Sequence, residues 1–262
     1  MSSGKRQYFV QAGVRLAVWR AVFGLRAEAR SNALAYLWWV IEPAILIMTF
    51  YFVFATILRP DSPDFLMFLV IGVTYWSWFA KSVQNASSAI YDARYLLNQV
   101  RIQRWVFPLG VLLQDFIKQL PVILMVLALS IFTRSSDSEL LFLPLCVLAQ
   151  FSLILGISFF FSSLVPLLPD LRLVIQLGIL VLMFASGVFF DLRVLGADTL
   201  VAQLAALNPM AVLLNFLRDV HFVSNQLESI WPLLYVATVG LVFTLLGLVT
   251  MVRFDARYTR TL

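Results

Sequence analysis

The sequence predicts an all-α integral membrane protein with six transmembrane helices and both termini in the cytoplasm. Three observations carry that prediction. Of 262 residues, 61% are hydrophobic and 13% charged, with a mean hydropathy of +0.91, against roughly 45–50% apolar and 25% charged in an ordinary soluble domain. A particle of 29.7 kDa with this composition would have to show water a greasy surface. The apolar residues also fall into runs near the roughly 20 needed to cross a hydrocarbon core about 30 Å thick. Finally, Lys and Arg segregate between alternate loops, fourteen on one side and four on the other with Lys118 inside a span, as the positive-inside rule requires.

The first element, residues 1–33, is a basic amphipathic helix. At 100° per residue Lys5, Arg15, Arg26 and Arg30 share one arc, while Val10, Val14, Ala17, Ala21 and Leu25 gather opposite. Arg15 and Arg20 interrupt the apolar stretch that a cleaved signal peptide would need. A helix of this kind suits the membrane interface, with arginines facing lipid phosphates or a charged substrate head.

Residues 34–58 form span one, broken only by Glu42 and Pro43, and the turn Arg59-Pro-Asp-Ser-Pro-Asp64 leads to span two at 65–84. The polar stretch 85–104 returns on the basic side. Span three, 105–133, carries Asp115 and Lys118, whose i, i+3 spacing predicts a pair on one helical face. Glu42 is expected to bond backbone freed by Pro43. Spans four, five and six are placed at 140–168, 173–190 and 230–252. Between the last two, residues 191–229 contain apolar pieces too short to cross, separated by Asn208-Pro209. A re-entrant helical hairpin on the outer side fits, and irregular backbone at that depth belongs beside protein or a water-filled path.

Other functions are excluded by what is missing. One cysteine, Cys146, forms no intramolecular disulfide, and one histidine, His221, has no second histidine to share a metal. No G-x-x-x-x-G-K-[ST] frame exists to cradle ATP phosphates, and no serine, histidine and acid set or carboxylate pair suggests catalysis. The basic charge belongs to one face of a membrane protein, so nucleic acid is not an expected partner. Phe, Tyr and Trp make up 15% of the chain. The clusters Tyr36, Trp38, Trp39 and Tyr75, Trp76, Trp78, Phe79 are candidates for a pathway on which sugar faces slide, with an interfacial aromatic belt as the other reading. The second cluster lies on the order of 15–20 Å along the helix from Phe65.

Three local patterns resemble one family. Leu34-Ala-Tyr-Leu-Trp-Trp-Val-Ile-Glu-Pro43, Leu96-Leu-Asn-Gln-Val-Arg-Ile-Gln-Arg-Trp-Val-Phe-Pro-Leu109 and Leu207-Asn-Pro-Met-Ala-Val-Leu-Leu-Asn-Phe-Leu-Arg-Asp219 are similar to segments of the transmembrane subunits of ABC transporters that export lipid-linked polysaccharides: O-antigen, capsule and teichoic acid. Ala35 and Gln103 depart from the family's usual glycine and proline. The resemblance implies a homodimer paired with two copies of a separate ATPase subunit, which holds ATP and Mg, while this chain is not an enzyme and binds no cofactor or metal. It implies a coupling helix at about Ala86 to Gln99, with Tyr91, Asp92, Arg94, Tyr95 and Asn98 as ATPase contacts. It also implies lipid head-group entry beside Arg15, Arg26 and Arg30, and an outer gate at Asn208, Pro209 and Arg218. The expected location is the bacterial inner membrane. Teichoic acid, a small lipid or drug, and a secondary carrier mechanism stay open as alternatives.

Overall fold

A computed structural model describes residues 3–31, 35–57, 65–100, 102–133, 138–194, 199–221 and 229–254. Among these residues every regular element is helical: α1 (Ser3–Ser31), α2 (Ala35–Ile57), α3 (Phe65–Asp92), α4 (Arg94–Gln99), α5 (Val106–Thr133), α6 (Leu143–Leu164), α7 (Leu171–Ala185), α8 (Leu200–Leu207), α9 (Pro209–His221) and α10 (Trp231–Arg253). Short 3-10 turns sit at Ser138–Phe142 and Leu192–Val194.

Five of these stretches, built on α2, α3, α5, α6 and α10, are long and apolar enough to cross a membrane. The chain is a multi-pass membrane protein. The fifth expected span is a shorter helix: α7 has fifteen residues, about 22 Å at 1.5 Å each, and ends five residues before the expected boundary. The polar loop expected from residue 85 begins later too, because α3 continues unbroken through Asp92 and bends only at Ala93 before α4. Ser82, Ser87, Ala86 and Ala89 are small enough to stay buried against neighbours, so the helix is held beyond its apolar part. The turns 59–64 and 134–137 lie outside the described residues.

α3 is the central helix and packs against α2, α5, α6, α7 and α9. The tightest pair is α6 with α10. A Cβ on Gly156 would run into the Gly240 carbonyl, and one on Gly247 would stand 2.6 Å from Phe159 C. Ser152 Oγ donates to Ala237 O at 3.3 Å, and the Ser163 and Thr250 hydroxyls meet at 2.5 Å. Small residues let two backbones approach where no hydrophobic force drives association. These contacts advance together along both helices, so α6 and α10 run in the same direction.

α1 also runs beside a span. Gly13 faces Trp105, Ala17 O lies 3.3 Å from a Cβ built on Gly110, Gly24 faces Gln114 and Glu28 pairs with Lys118. The buried stripe is Gly13, Ala17 and Ala21. Val10 and Val14, of the same apolar arc, are exposed. Small residues win the contact because only they allow α1 to lie this close to α5.

Candidate functional site

Three regions carry the polar and aromatic chemistry, beginning with a belt of ionic pairs joining α1, α2, α3 and α5. Lys81 Nζ lies 2.7 Å from Glu42 Oε2, linking α3 to α2. Lys118 of α5 pairs with Glu28 of α1, which also accepts from Trp39 Nε1 at 3.4 Å and Gln114 Nε2 at 3.2 Å. Asn85 Nδ2 donates to Asp115 Oδ2 at 3.1 Å. Two sequence expectations are thereby corrected. Asp115 and Lys118 do not pair with each other, and Glu42 is held by Lys81, not spent on backbone at Pro43. In each case a neighbouring helix offers the opposite charge or a donor at the right height, and a part-buried charge gains more from it than from an intrahelical neighbour.

Glu28 sits below its ordinary carboxylate value, because the hydrogen bond and charge of Lys118, with Trp39 and Gln114, outweigh the burial that opposes ionisation. A depressed carboxylate stabilises above its unfolded value, and that contribution is lost as pH falls through the folded one. Protection of α1 amides 13–28 from hydrogen exchange is therefore expected to decline as pH drops below 4.5. Lys118→Met should lower the protection at neutral pH and flatten the decline, whereas the swap Glu28→Lys with Lys118→Glu should restore much of it. An unchanged pH profile in Lys118→Met would break the assignment.

The second region is the bend after α3. The guanidinium groups of Arg94 and Arg172 both lie over the Tyr91 ring, 4.7 Å and 4.4 Å from its centroid. Arg94 also lies 4.6 Å over the Tyr95 ring and donates from Nη1 to Tyr91 O at 3.3 Å. Arg94 and Tyr91 are thus committed within the protein. Asp92, Tyr95 and Asn98 of the expected set are exposed, together with Leu96, Gln99 and Val100, which the sequence did not single out. Arg172, read from sequence as a topology signal, is the post that ties this segment to the start of α7.

The third region is the joint between α8 and α9. Asn208 caps α9, its Oδ1 accepting from Met210 N at 3.0 Å, with Pro209 at the first helical position, where no N–H is needed. Asn208 Nδ2 reaches Ser186 Oγ at 2.9 Å, and Tyr235 Oη donates to Leu207 O at 2.8 Å. The joint is thereby pinned to α7 and α10. Arg218, counted from sequence among the outer-side charges, is fully buried. Its Nη2 donates to Gly187 O at 2.8 Å and Val188 O at 3.2 Å, and its guanidinium lies 3.5 Å over the Phe68 ring. Gly72 leaves room for this: a Cβ there would stand 2.6 Å from Val188 O. One turn on, His221 Nδ1 meets Ser130 Oγ at 2.7 Å, tying α9 to α5.

The candidate aromatics separate. Tyr75 and Trp78 are buried inside the protomer, Tyr75 beside His221 with ring centroids 6.2 Å apart and Trp78 on Phe116 at 5.8 Å. Their faces are occupied by neighbours and present no sliding surface there. Trp76 and Phe79 border a largely apolar cavity of about 460 Å³ that reaches Asn208, Pro209 and Tyr235. Trp38 is exposed, Trp39 is spent on Glu28, and the Tyr36 side chain lies outside the described residues. Arg15, Arg26 and Arg30 are all exposed along α1.

No family model matches the chain. It is similar to an O-antigen export system permease protein RfbA of Myxococcus xanthus, 28% identical over 221 residues that cover 83% of this chain and 84% of that protein. Two proteins of the same name from Klebsiella pneumoniae are each 25% identical, over 241 and 242 residues, covering 91% of both partners in each comparison. The resemblance carried by the three sequence motifs thus extends along most of the chain.

Proposed function

We propose that this chain is the membrane-spanning subunit of an ATP-driven ABC exporter that carries a lipid-linked polysaccharide, of O-antigen or capsular type, across the inner membrane. The observation that carries the reading is similarity to O-antigen export permeases over more than four fifths of the chain. Two copies work with two copies of a separate ATPase subunit, which holds ATP and Mg; this agrees with the lack of a phosphate-binding loop in the sequence.

Six spans are supported by direction. α6 and α10 run the same way, so the chain between them has to recross, and α7 with the turn after it is the segment available. With both termini inside, α4 faces the cytoplasm, and its exposed Tyr95 and Leu96, with Val100 just after it, suit an apolar cleft on the ATPase. The Arg94, Tyr91 and Arg172 stack passes motion from that contact to the foot of α7. Exposed Arg15, Arg26 and Arg30 offer planar forks for the pyrophosphate or phosphate of a lipid head. With Tyr75 and Trp78 enclosed, the exposed aromatic rings of α2, Trp38, Tyr51 and Phe52, are candidates to line a path between two copies.

Depleting the protein in its native host is the test. Lipid-linked glycan should accumulate on the inner leaflet while surface polymer disappears; if both pools stay unchanged, polysaccharide export is wrong. Docking is tested separately with Tyr95→Ala plus Leu96→Ala. Co-purification with the ATPase subunit should fall at least tenfold, and full recovery of the complex would remove α4 from the contact.

A further inference from the structure

The cavity of about 460 Å³ beside Trp76 and Phe79 is drawn out along the helices. α10 lines it with Tyr235, Val239 and Phe243, spaced i, i+4 and i+8, a row about 12 Å long. α6 adds Leu153 and Ile157, and α7 adds Leu182 and Ser186, each pair one turn apart. A Cβ on Gly240 would stand 2.6 Å from Leu153 N, so the α6 and α10 rows lie side by side at one height. Trp76, Phe79, Leu153 and Met210 of the lining are buried, whereas Leu182, Leu204 and Leu207 are exposed. The cavity therefore opens at the protomer surface past leucines.

The chemistry of the wall limits what fits. No charged residue lines it among the described residues. Its polar side chains are engaged within the protein: Asn208 Nδ2 donates to Ser186 Oγ at 2.9 Å, Ser186 Oγ to Leu182 O at 2.6 Å and Tyr235 Oη to Leu207 O at 2.8 Å, while Asn208 Oδ1 accepts from Met210 N. What remains is the Trp76 indole N–H, unpaired among the described residues, and a lone pair on Tyr235 Oη. A held water needs about two to four polar partners, and a sugar or an ionic head needs more. Left as a void, the wall forfeits dispersion contacts, and dry apolar cavities of this kind take up hydrocarbon.

Depth points the same way. Trp76 and Phe79 lie about 16–21 Å along α3 from Phe65, and Tyr235 to Phe243 about 6–18 Å along α10 from Trp231. Both ranges fall within a hydrocarbon core about 30 Å thick. We propose that this cavity is a lipid-chain site, holding one acyl chain of a membrane phospholipid on the outer side, aligned with α10 between α7 and the Asn208-Pro209 joint. The outer placement rests on the six-span topology of the export reading, and it separates this chain from the tail of a cargo that enters from the inner leaflet. Trp76 and Phe79, singled out in the sequence as a surface for sugar, face hydrocarbon instead.

The test uses the whole transporter with its ATPase partner in nanodiscs. The probe is a phosphatidylglycerol carrying a diazirine midway along one acyl chain, cross-linked by light and mapped by peptide mass spectrometry. Leu241 and Val242 are exposed on α10 at the height of the cavity but outside its lining, so they report ordinary boundary lipid. In the wild type, Tyr235, Val239 and Phe243 should be labelled at least fivefold more than these two. Leu204→Trp, made at an exposed lining position, and Ile157→Trp, made on α6, each take up room in the cavity. Both should bring its labelling down to the Leu241 level, with Leu241 labelling and ATPase association unchanged. Equal labelling of the two α10 faces in the wild type would overturn the site, as would cavity labelling that neither variant lowers. Displacement by polyprenyl phosphate, where the same excess of unlabelled phosphatidylglycerol displaces nothing, would assign the cavity to the cargo's tail and overturn the phospholipid. A disulfide between two copies of Leu204→Cys, with the cavity unlabelled, would mean that a second protomer covers it, and would overturn it too. If depletion leaves surface polymer intact, the export reading fails separately, because the label needs no cargo and still decides the chain site.

Discussion

Gly240→Leu is expected to leave little folded protein. The Cβ it introduces would stand 2.5 Å from both the C and the O of Ser152 and 2.6 Å from Leu153 N. These are backbone atoms of α6, which cannot rotate aside as the end of a long side chain can, so the two helices must separate. Separation also removes the Ser152 to Ala237 bond and the Ser163 to Thr250 contact, and in lipid the lost packing is not replaced by a hydrophobic force. Overpacking costs about 1–3 kcal/mol where side chains yield; with backbone on both sides the upper end of that range is the expected minimum. Size-exclusion profiles and thermal midpoints in detergent measure it. Gly178→Ala is the control, because nothing lies within 4 Å of a Cβ there and alanine is the better helix former. A Gly240→Leu protein as stable as the control would mean that α6 and α10 are not packed as described.

The second large effect concerns Arg218, where the usual ranking of substitutions is expected to invert. Arg218→Leu removes the donors of the Gly187 and Val188 carbonyls, about 1–3 kcal/mol for each left unpaired, but it also relieves the cost of holding a cation out of water. A net loss of about 1–2 kcal/mol is expected from those opposing contributions. Arg218→Lys keeps the buried charge, more strongly hydrated as an ammonium, and gives up the planar stack on Phe68 and the fixed fork. It is expected to cost about 3 kcal/mol, more than leucine does. Comparing thermal midpoints of the two variants decides it. A lysine variant equal to the wild type would show that charge alone holds α9 to the turn at Gly187 and Val188, with no role for fork geometry.

The helices themselves were largely legible. α2, α5 and α10 begin and end within two residues of the apolar runs, because helix length in a bilayer is set locally, by how far apolar residues continue before charge or proline intervenes. Asn208-Pro209 was legible for the same reason, since cap and first-turn chemistry act within a few residues. The partners of Glu42, Asp115 and Lys118 were not. Each lies on another helix, and the intrahelical i, i+3 pattern that pointed to Asp115 with Lys118 contains no information about α1 or α3. The composition that marked Tyr75 and Trp78 as pathway residues likewise could not tell which ring faces neighbours occupy.

By itself, then, the sequence determined the solvent, the helical class, the approximate element limits and the resemblance to polysaccharide-export permeases, all of which depend on local runs of residues. The tertiary structure alone decided that α1 lies along α5 through its small residues and that α6 and α10 run in parallel at backbone contact. It alone assigned Lys118 to Glu28 and Lys81 to Glu42, and put Arg218 inside the bundle. The physical reason is that a membrane helix is apolar on most of its faces, so its periodicity does not say which face turns inward. Rotation and register between helices come from close approach of small residues and from pairing of the few buried charges, and both are properties of helix pairs.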